Sequence, residues 1–535
     1  MSTAPTIPAN PATSPRALPP VLARLFSGTL WLAFRVPVQI VLSLWTTRLL
    51  LESAGVGKDG LGAYGFAWGF GFLQMLFEFG VSSALQRQIS QSWTRGDREG
   101  VDRAVACGLN FYAATALVQV VALLAIAYLG LPHSKYVGHP KYGLIVQLLW
   151  IQILTAPCYG LSVVISSVLQ AARRYEFMPR IEFGITILRF VALWAGLKAG
   201  MPFIWVVVMQ TAITIGLSLG PSIWVLTREL GQRLTFRGAH WEDYKALGHV
   251  SFYMALLQVS VILADKIDTT ILGFVIPDPA QANAVYDVVS KPFLQLRQTG
   301  WMLAYMVMPA VASLAAARDE KSLERLKYDG TRMHLAALLP LGLLAWLYAS
   351  PFLTLWVGDR LGRPASEVAP LMRLFLTAAL PLVLSVPVQM AIGFNKIPVI
   401  ALAALGGAMV NLPVSYYLTT RIGVAGVIWG TILTTFFSNL IIPGVYVAKV
   451  LEIDPWTFLT RTLGPPLVGA CAAVVACLLF SQWFPVTFPG KSLATRALPL
   501  LVHLSVGLTA YLAGYTLAPT GRQDLSKLAS KLARR

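Results

Sequence analysis

Charge is scarce in this 535-residue chain: Asp, Glu, Lys and Arg make up 12% of it, about half their share in an ordinary soluble domain. With 56% hydrophobic residues and a mean hydropathy of +0.65, that scarcity excludes a soluble globular protein. Cysteine is also rare. The four present, Cys107, Cys158, Cys471 and Cys477, lie inside apolar runs at spacings that fit neither a zinc knuckle nor a redox Cys-x-x-Cys, so they read as packing residues. Walker A, dinucleotide-binding glycine, His-Glu-x-x-His and Gly-x-Ser-x-Gly motifs are absent, which removes ATP hydrolysis and the common soluble chemistries. The six histidines show no metal-ligand spacing. The first twenty residues hold six prolines and no apolar core of a signal peptide, so residues 1–24 are expected to be a disordered cytoplasmic tail.

What the chain has in abundance is long apolar runs, and ten-residue alternation of the barrel type is missing. The expected fold is an all-α polytopic membrane protein with fourteen transmembrane helices. The spans fall at 27–50, 61–86, 104–130, 143–171, 179–199, 202–227, 248–276, 281–312, 333–357, 367–393, 397–420, 423–448, 458–480 and 496–518. With the N-terminus in the cytoplasm, inner tails and loops hold 26 Lys and Arg, outer loops hold 8, and 8 more lie in or beside spans. That asymmetry puts both termini in the cytoplasm and assigns the +18 net charge to membrane topology rather than to nucleic acid. Three weak matches at an offset near 220 residues (GAYGFAW with NAVYDVV, LQAARRYEFMP with MAIGFNKIP, AGMPFIW with IGVAGVIW) suggest a parallel repeat of a six-helix lobe. The expected organisation is an N-terminal lobe at 25–230, an amphipathic linker at 231–247, a C-terminal lobe at 248–450, two added helices at 451–518 and a basic cytoplasmic tail at 519–535. Within the linker, Leu234 to Leu247 is expected to lie on the inner leaflet.

Thirteen ionisable residues lie in or at the edge of these spans, nine of them on spans 1, 2, 7 and 8: Arg35, Arg48, Glu78, Asp265, Lys266, Asp268, Asp287, Lys291 and Arg297. Facing lipid at about 2.5 to 3.5 kcal/mol each, nine charges would cost on the order of 20 to 30 kcal/mol, more than a fold's whole stability. They must therefore face one another or a polar cavity. Arg35, Arg48, Glu78, Lys266, Lys291 and Arg297 are the candidate substrate-binding set, whose guanidinium and ammonium groups suit a diphosphate. Asp265, Asp268 and Asp287 are candidates for coupling to Na+ or H+. Prolines inside the spans, among them Pro157, Pro292, Pro381 and Pro413, predict kinks.

TTRLLLESAGVGKDGLGAYGFAWGFGFLQMLFEFGVSSALQRQIS, from Thr46 to Ser90, resembles the opening of the oligosaccharide flippase branch of the multidrug/oligosaccharidyl-lipid/polysaccharide exporter superfamily. VLQAARRYEFMP, DKIDTTILGFVI, AVYDVVSKPF, LTLWVGD and GVAGVIWGTIL continue the likeness in order to about residue 450. The chain departs from that pattern by a longer ESAGVGKDG loop, and it lacks the Ser-Arg and Arg-Asp pattern of the peptidoglycan-precursor branch. The resemblance implies two lobes around a cationic cavity lined by spans 1, 2, 7 and 8. It also implies inner-to-outer transfer of a polyprenyl-diphosphate-linked glycan across a bacterial inner membrane, with no cofactor and with a polysaccharide polymerase and glycosyltransferases as partners. A cation-coupled multidrug antiporter of the same superfamily is the alternative. A polytopic glycan polymerase or ligase fits less well, because the outer loops are too short to house its catalytic residues.

Overall fold

The structure, a computed structural model, describes residues 37–533 apart from 79–80, 173, 175–176, 246–255, 257–258, 261–266, 306, 308–310, 312–313, 316–317 and 489–492. Arg35, Asp265 and Lys266 lie outside the described residues, as do parts of spans 1 and 7. The regular secondary structure of the described residues is all helical, with no β-strand among them. Nine of their helices are long and apolar enough to cross a membrane: Arg98–His133, Tyr142–Ala171, Phe203–Glu229, Glu320–Leu347, Ala365–Gly393, Pro398–Ile422, Val424–Val450, Pro455–Trp483 and Thr495–Leu517. Side chains such as Leu129 and Leu154, 71% and 73% exposed, point outward from them, as a lipid-facing surface requires.

In the N-terminal half the helices used below are α1 (37–52), α2 (Gly57–Gly69), α3 (Phe72–Leu76), α4 (Val81–Arg95), α5 (Arg98–Ala125), α6 (Tyr142–Ala171), α7 (Phe177–Lys198) and α8 (Phe203–Trp224). Span 2, expected as one helix, is broken into α2, α3 and α4. The run GFGF at 69–72 explains the first break. Glycine is a poor helix former, and at this point Phe70 and Gly71 bond back three residues, to Ala67 and Trp68, instead of four. α7 and the later α10 are helical but fall short as apolar spans because each carries at least three charged side chains.

The C-terminal half contains α9 (267–275), α10 (Pro279–Tyr305), α11 (Glu320–Arg325), α12 (Thr331–Leu347), α13 (Ala349–Trp356), α14 (Ala365–Thr377), α15 (Ser385–Gly393), α16 (Pro398–Ile422), α17 (Val424–Thr435), α18 (Ile442–Val450), α19 (Gly464–Trp483), α20 (Leu493–Leu517) and α21 (Pro519–Ala533). Pro381 opens a short 3-10 turn, Leu380–Leu384, that breaks span 10. The largest core joins the two halves: Phe66, Tyr136, Leu148, Leu272, Ala280, Val288, Leu353 and Phe375 belong to one buried cluster.

Two connecting segments differ from expectation. The linker is helical only at 241–245 among its described residues. Gly231 and Gly238 adopt φ of +62° and +100°, which keeps the preceding stretch out of a helix, and the Asn110 amide donates to the Phe236 carbonyl at 3.0 Å and to the Tyr244 hydroxyl at 3.1 Å, tying the segment to α5. The segment expected as a free basic tail forms α21 and docks. Arg332 at the start of α12, 2% exposed, donates from Nε and Nη2 to both oxygens of Asp524 at 2.8 and 2.9 Å, and the Tyr515 hydroxyl donates to the same carboxylate at 2.7 Å. A Cβ at Gly521 would collide with the Tyr515 carbonyl, so only glycine permits this tight return.

Candidate functional site

The hydrogen bonds and close contacts that join the two halves gather at one end of the bundle. There α2 meets α10 with little side-chain bulk between them: a Cβ on Gly62 would sit well inside 3.0 Å of the Ala280 carbonyl, and Gly273 on α9 makes room for the Phe66 ring in the same way. Around this contact Trp356 Nε1 donates to the Leu44 carbonyl at 2.7 Å, Lys135 N to the Gly273 carbonyl at 3.0 Å, and Asn283 Nδ2 to the Tyr136 hydroxyl at 3.3 Å. Glu52 accepts from Arg48 at 2.9 Å and from Arg360 at 2.8 Å. Arg48 also donates to the Leu355 carbonyl at 3.2 Å, which ties it to this seam.

The remaining candidates among the described residues are Glu78, Asp268, Asp287, Lys291 and Arg297. Asp287 and Lys291, one turn apart on α10, form an ion pair at half-buried positions. Arg297 lies over the Phe293 ring at 5.1 Å. Asp268 is fully buried and accepts from the Tyr286 hydroxyl at 2.9 Å and from the Thr431 hydroxyl at 3.0 Å, which joins α9, α10 and α17. Glu78, 5% exposed, accepts from the Tyr159 hydroxyl at 2.9 Å. The structure thus pairs Asp287 with Lys291, and bonds Asp268 and Glu78 to tyrosine hydroxyls. Among the described residues no group of three or more His, Cys, Asp or Glu could hold a metal ion.

The sequence reading missed a cavity of about 590 Å³ inside the N-terminal half, walled by α2, α3, α4, α6, α7 and α8. Sixteen of its 22 lining residues carry a hydroxyl, amide, carboxylate or guanidinium, and only Glu182 and Arg189 among them are charged. The signal was legible: Ser162, Ser166 and Gln170 on α6, and Gln210, Thr214 and Ser218 on α8, recur every four residues and so form one polar stripe on each helix. Gln86 donates to Gln170 at 2.5 Å, Gln170 to Ser166 at 3.1 Å, and Ser162 faces Ser218 at 3.4 Å.

Comparison with known proteins bears on the fold. Residues 36–195 match the MatE family model. Across 470 residues, 82% of this chain and 86% of the other, the sequence is 23% identical to EpsK, an uncharacterized membrane protein of Bacillus subtilis (strain 168). Among solved structures, a lipid II flippase MurJ in an inward closed conformation superposes with a TM-score of 0.68 at 15% identity, covering 91% of this chain and 98% of that one. An inward-facing multidrug resistance MATE family transporter of the MOP superfamily superposes at 0.61 and 13% identity, covering 81% and 98%. What these likenesses establish is the architecture: the chain is a multi-pass membrane protein with the all-helical fold of MurJ and the MATE transporters.

Proposed function

We propose that this protein is a carrier, not an enzyme, that moves a polyprenyl-diphosphate-linked oligosaccharide across the bacterial inner membrane by alternating access, for surface polysaccharide biosynthesis. The observation that carries the reading is the course of α10. It enters the sealed end at Ala280 and then places Lys291 and Arg297 about 16 and 25 Å farther along its axis, at a rise of roughly 1.5 Å per residue. Two cationic side chains on one helix behind a close-packed end, one of them already paired with Asp287, inside a lipid-embedded fold, suit a diphosphate that enters from the opposite side.

In this reading the sealed end is the outer one, since its loops are those with few basic residues, and both termini are cytoplasmic. The two moving units are the lobes at 25–230 and 248–450, with the helices at 451–518 appended. Arg35, Lys266, Lys291 and Arg297 bind the diphosphate, and Arg48 holds the seal. Asp265, Asp268 and Asp287 are the candidates that couple the cycle to Na+ or H+, and Glu78 lines the path. Polysaccharide polymerase and glycosyltransferases would act on either side of the step. A deletion strain should accumulate polyprenyl-linked oligosaccharide and lose a surface polysaccharide; unchanged surface glycan in a strain without a paralogue refutes the proposal. The MatE match supports a second reading, a cation-coupled drug antiporter. Under it the same strain would keep its glycan and become sensitive to hydrophobic cations.

A further inference from the structure

We propose that the cavity inside the N-terminal half seats uncharged sugar residues of the transported glycan, separately from the cations that hold its diphosphate. The inference rests on the flippase reading and deepens it. Its volume, about 590 Å³, lies within the roughly 300–1,000 Å³ of small-ligand pockets and is large enough for a few sugar rings.

The hydrogen-bonding groups in the wall suit a polyhydroxyl ligand. Thr155, Ser162, Ser167, Thr211 and Thr214 each spend their hydroxyl proton on a backbone carbonyl one turn earlier in their own helix, at 2.8 to 3.0 Å. Their oxygen lone pairs remain as acceptors, beside the amide N–H groups of Gln74, Gln86, Gln170 and Gln210, so the wall presents acceptors and donors together. A ligand whose hydroxyls both donate and accept satisfies such a wall. Formal charge agrees. Glu182 and Arg189 cancel, and seven residues apart they lie on one side of α7, so the cavity as a whole favours a neutral occupant. At one side Tyr64 and Trp68 stack with ring centroids 5.2 Å apart, an apolar aromatic surface against which the C–H faces of a sugar can pack. Lining a hollow with polar groups inside a membrane domain is costly unless water or a polar ligand satisfies them.

The test uses the full chain in lipid nanodiscs and compares three probes by native mass spectrometry: undecaprenyl diphosphate carrying an uncharged tetrasaccharide, sugar-free undecaprenyl diphosphate, and tetraphenylphosphonium. The wild type should bind the sugar-bearing lipid at least tenfold more tightly than the sugar-free one. The double variant Gln86→Leu/Gln170→Leu should reduce that ratio to near one, while sugar-free lipid still binds and thereby shows that the protein is folded. Lys291→Ala should weaken both lipids and keep the ratio. A ratio unchanged in the glutamine variant, or a wild-type ratio near one, overturns the sugar seat and leaves the flippase reading standing. Failure of both lipids to bind the wild type overturns both, and tetraphenylphosphonium binding lost in the glutamine variant would make the cavity a cation site instead.

Discussion

Replacing Gly62 by alanine should shift the protein away from the conformation described here. The added Cβ has no room: it meets the Ala280 carbonyl and its Cα well inside 3.0 Å, and the obstacle is backbone, which no rotamer change can remove. Forced overpacking of this kind costs about 1 to 3 kcal/mol. At 1.4 kcal/mol per factor of ten, the population with a sealed end should fall by roughly 5- to 150-fold relative to states in which α2 and α10 have parted. Cysteines at Lys58 and Arg363 report on the seal, because the Lys58 ammonium group lies beside Gly362. In a background with Cys107, Cys158, Cys471 and Cys477 changed to alanine, bismaleimide cross-linking of this pair should slow in Gly62→Ala and slow less in Gly273→Ala. The less severe variant adds its Cβ against the Phe66 ring, a side chain that can move. Equal cross-linking rates in wild type and Gly62→Ala, with normal membrane abundance, would refute the claim that backbone proximity at this point sets the seal.

Asp524→Ala should destabilise the protein by about 3 to 5 kcal/mol, since it strands the buried Arg332, and α21 should lose hydrogen-exchange protection. The pair Arg332→Met/Asp524→Leu should cost less than the single change, and a single variant as harmless as the double would refute the buried-pair account. Bonds from the Ser322 hydroxyl and N–H hold the Asp319 carboxyl below the usual carboxylate range, so its folded value is lower than its unfolded one. Its contribution is therefore complete above the unfolded value near 4 and is lost as pH falls through the lower folded one, so the protection factor at Ser322 should hold to about pH 4 and drop only below it. Reporter fusions after Arg95, Lys327 and Arg522 should read cytoplasm and those at Lys58, Lys135 and Arg360 the outer side; an outer signal at Lys327 would refute the fourteen-span topology.

The all-helical fold and nine of the expected spans were legible in the sequence because an apolar run of about 20 residues has few alternatives in lipid. Breaks were less so. Pro381 announced its 3-10 turn, but the interruption at GFGF depends on i→i−3 bonding that glycine content permits without dictating. The docking of the C-terminal helix was not legible, because five basic residues after Ala518 read only as a basic tail, while the docking turns on one acid, Asp524, meeting an arginine 192 residues earlier in the chain. At the candidate site, counting charges grouped Arg48 with Asp287 and Lys291 but could not show their partners: Arg48 bonds Glu52 and the Leu355 carbonyl, while Asp287 and Lys291 bond each other. The neutral cavity was overlooked for the opposite reason. Serine, threonine and glutamine carry no charge to count, and only their four-residue spacing marks them.

The distribution of strong and weak contacts indicates which parts can move. The Arg332–Asp524 pair is bidentate, with side chains 3% and 8% exposed, and it joins α12 to α21 within the C-terminal half; breaking it exposes two charges to an apolar interior. The seam between halves is built differently. Its ion pairs through Glu52 are more than a third exposed at Glu52 and Arg360, and such pairs contribute about 0 to 1 kcal/mol. Its remaining strength is close packing at Gly62 and Gly273, where small residues let helices approach as they do between membrane helices generally. Packing of that kind is lost over a displacement of an ångström or two, and parting the helices leaves no buried charge behind. The proposed alternating-access cycle requires this division, with costly contacts kept inside one half and inexpensive ones placed between the halves.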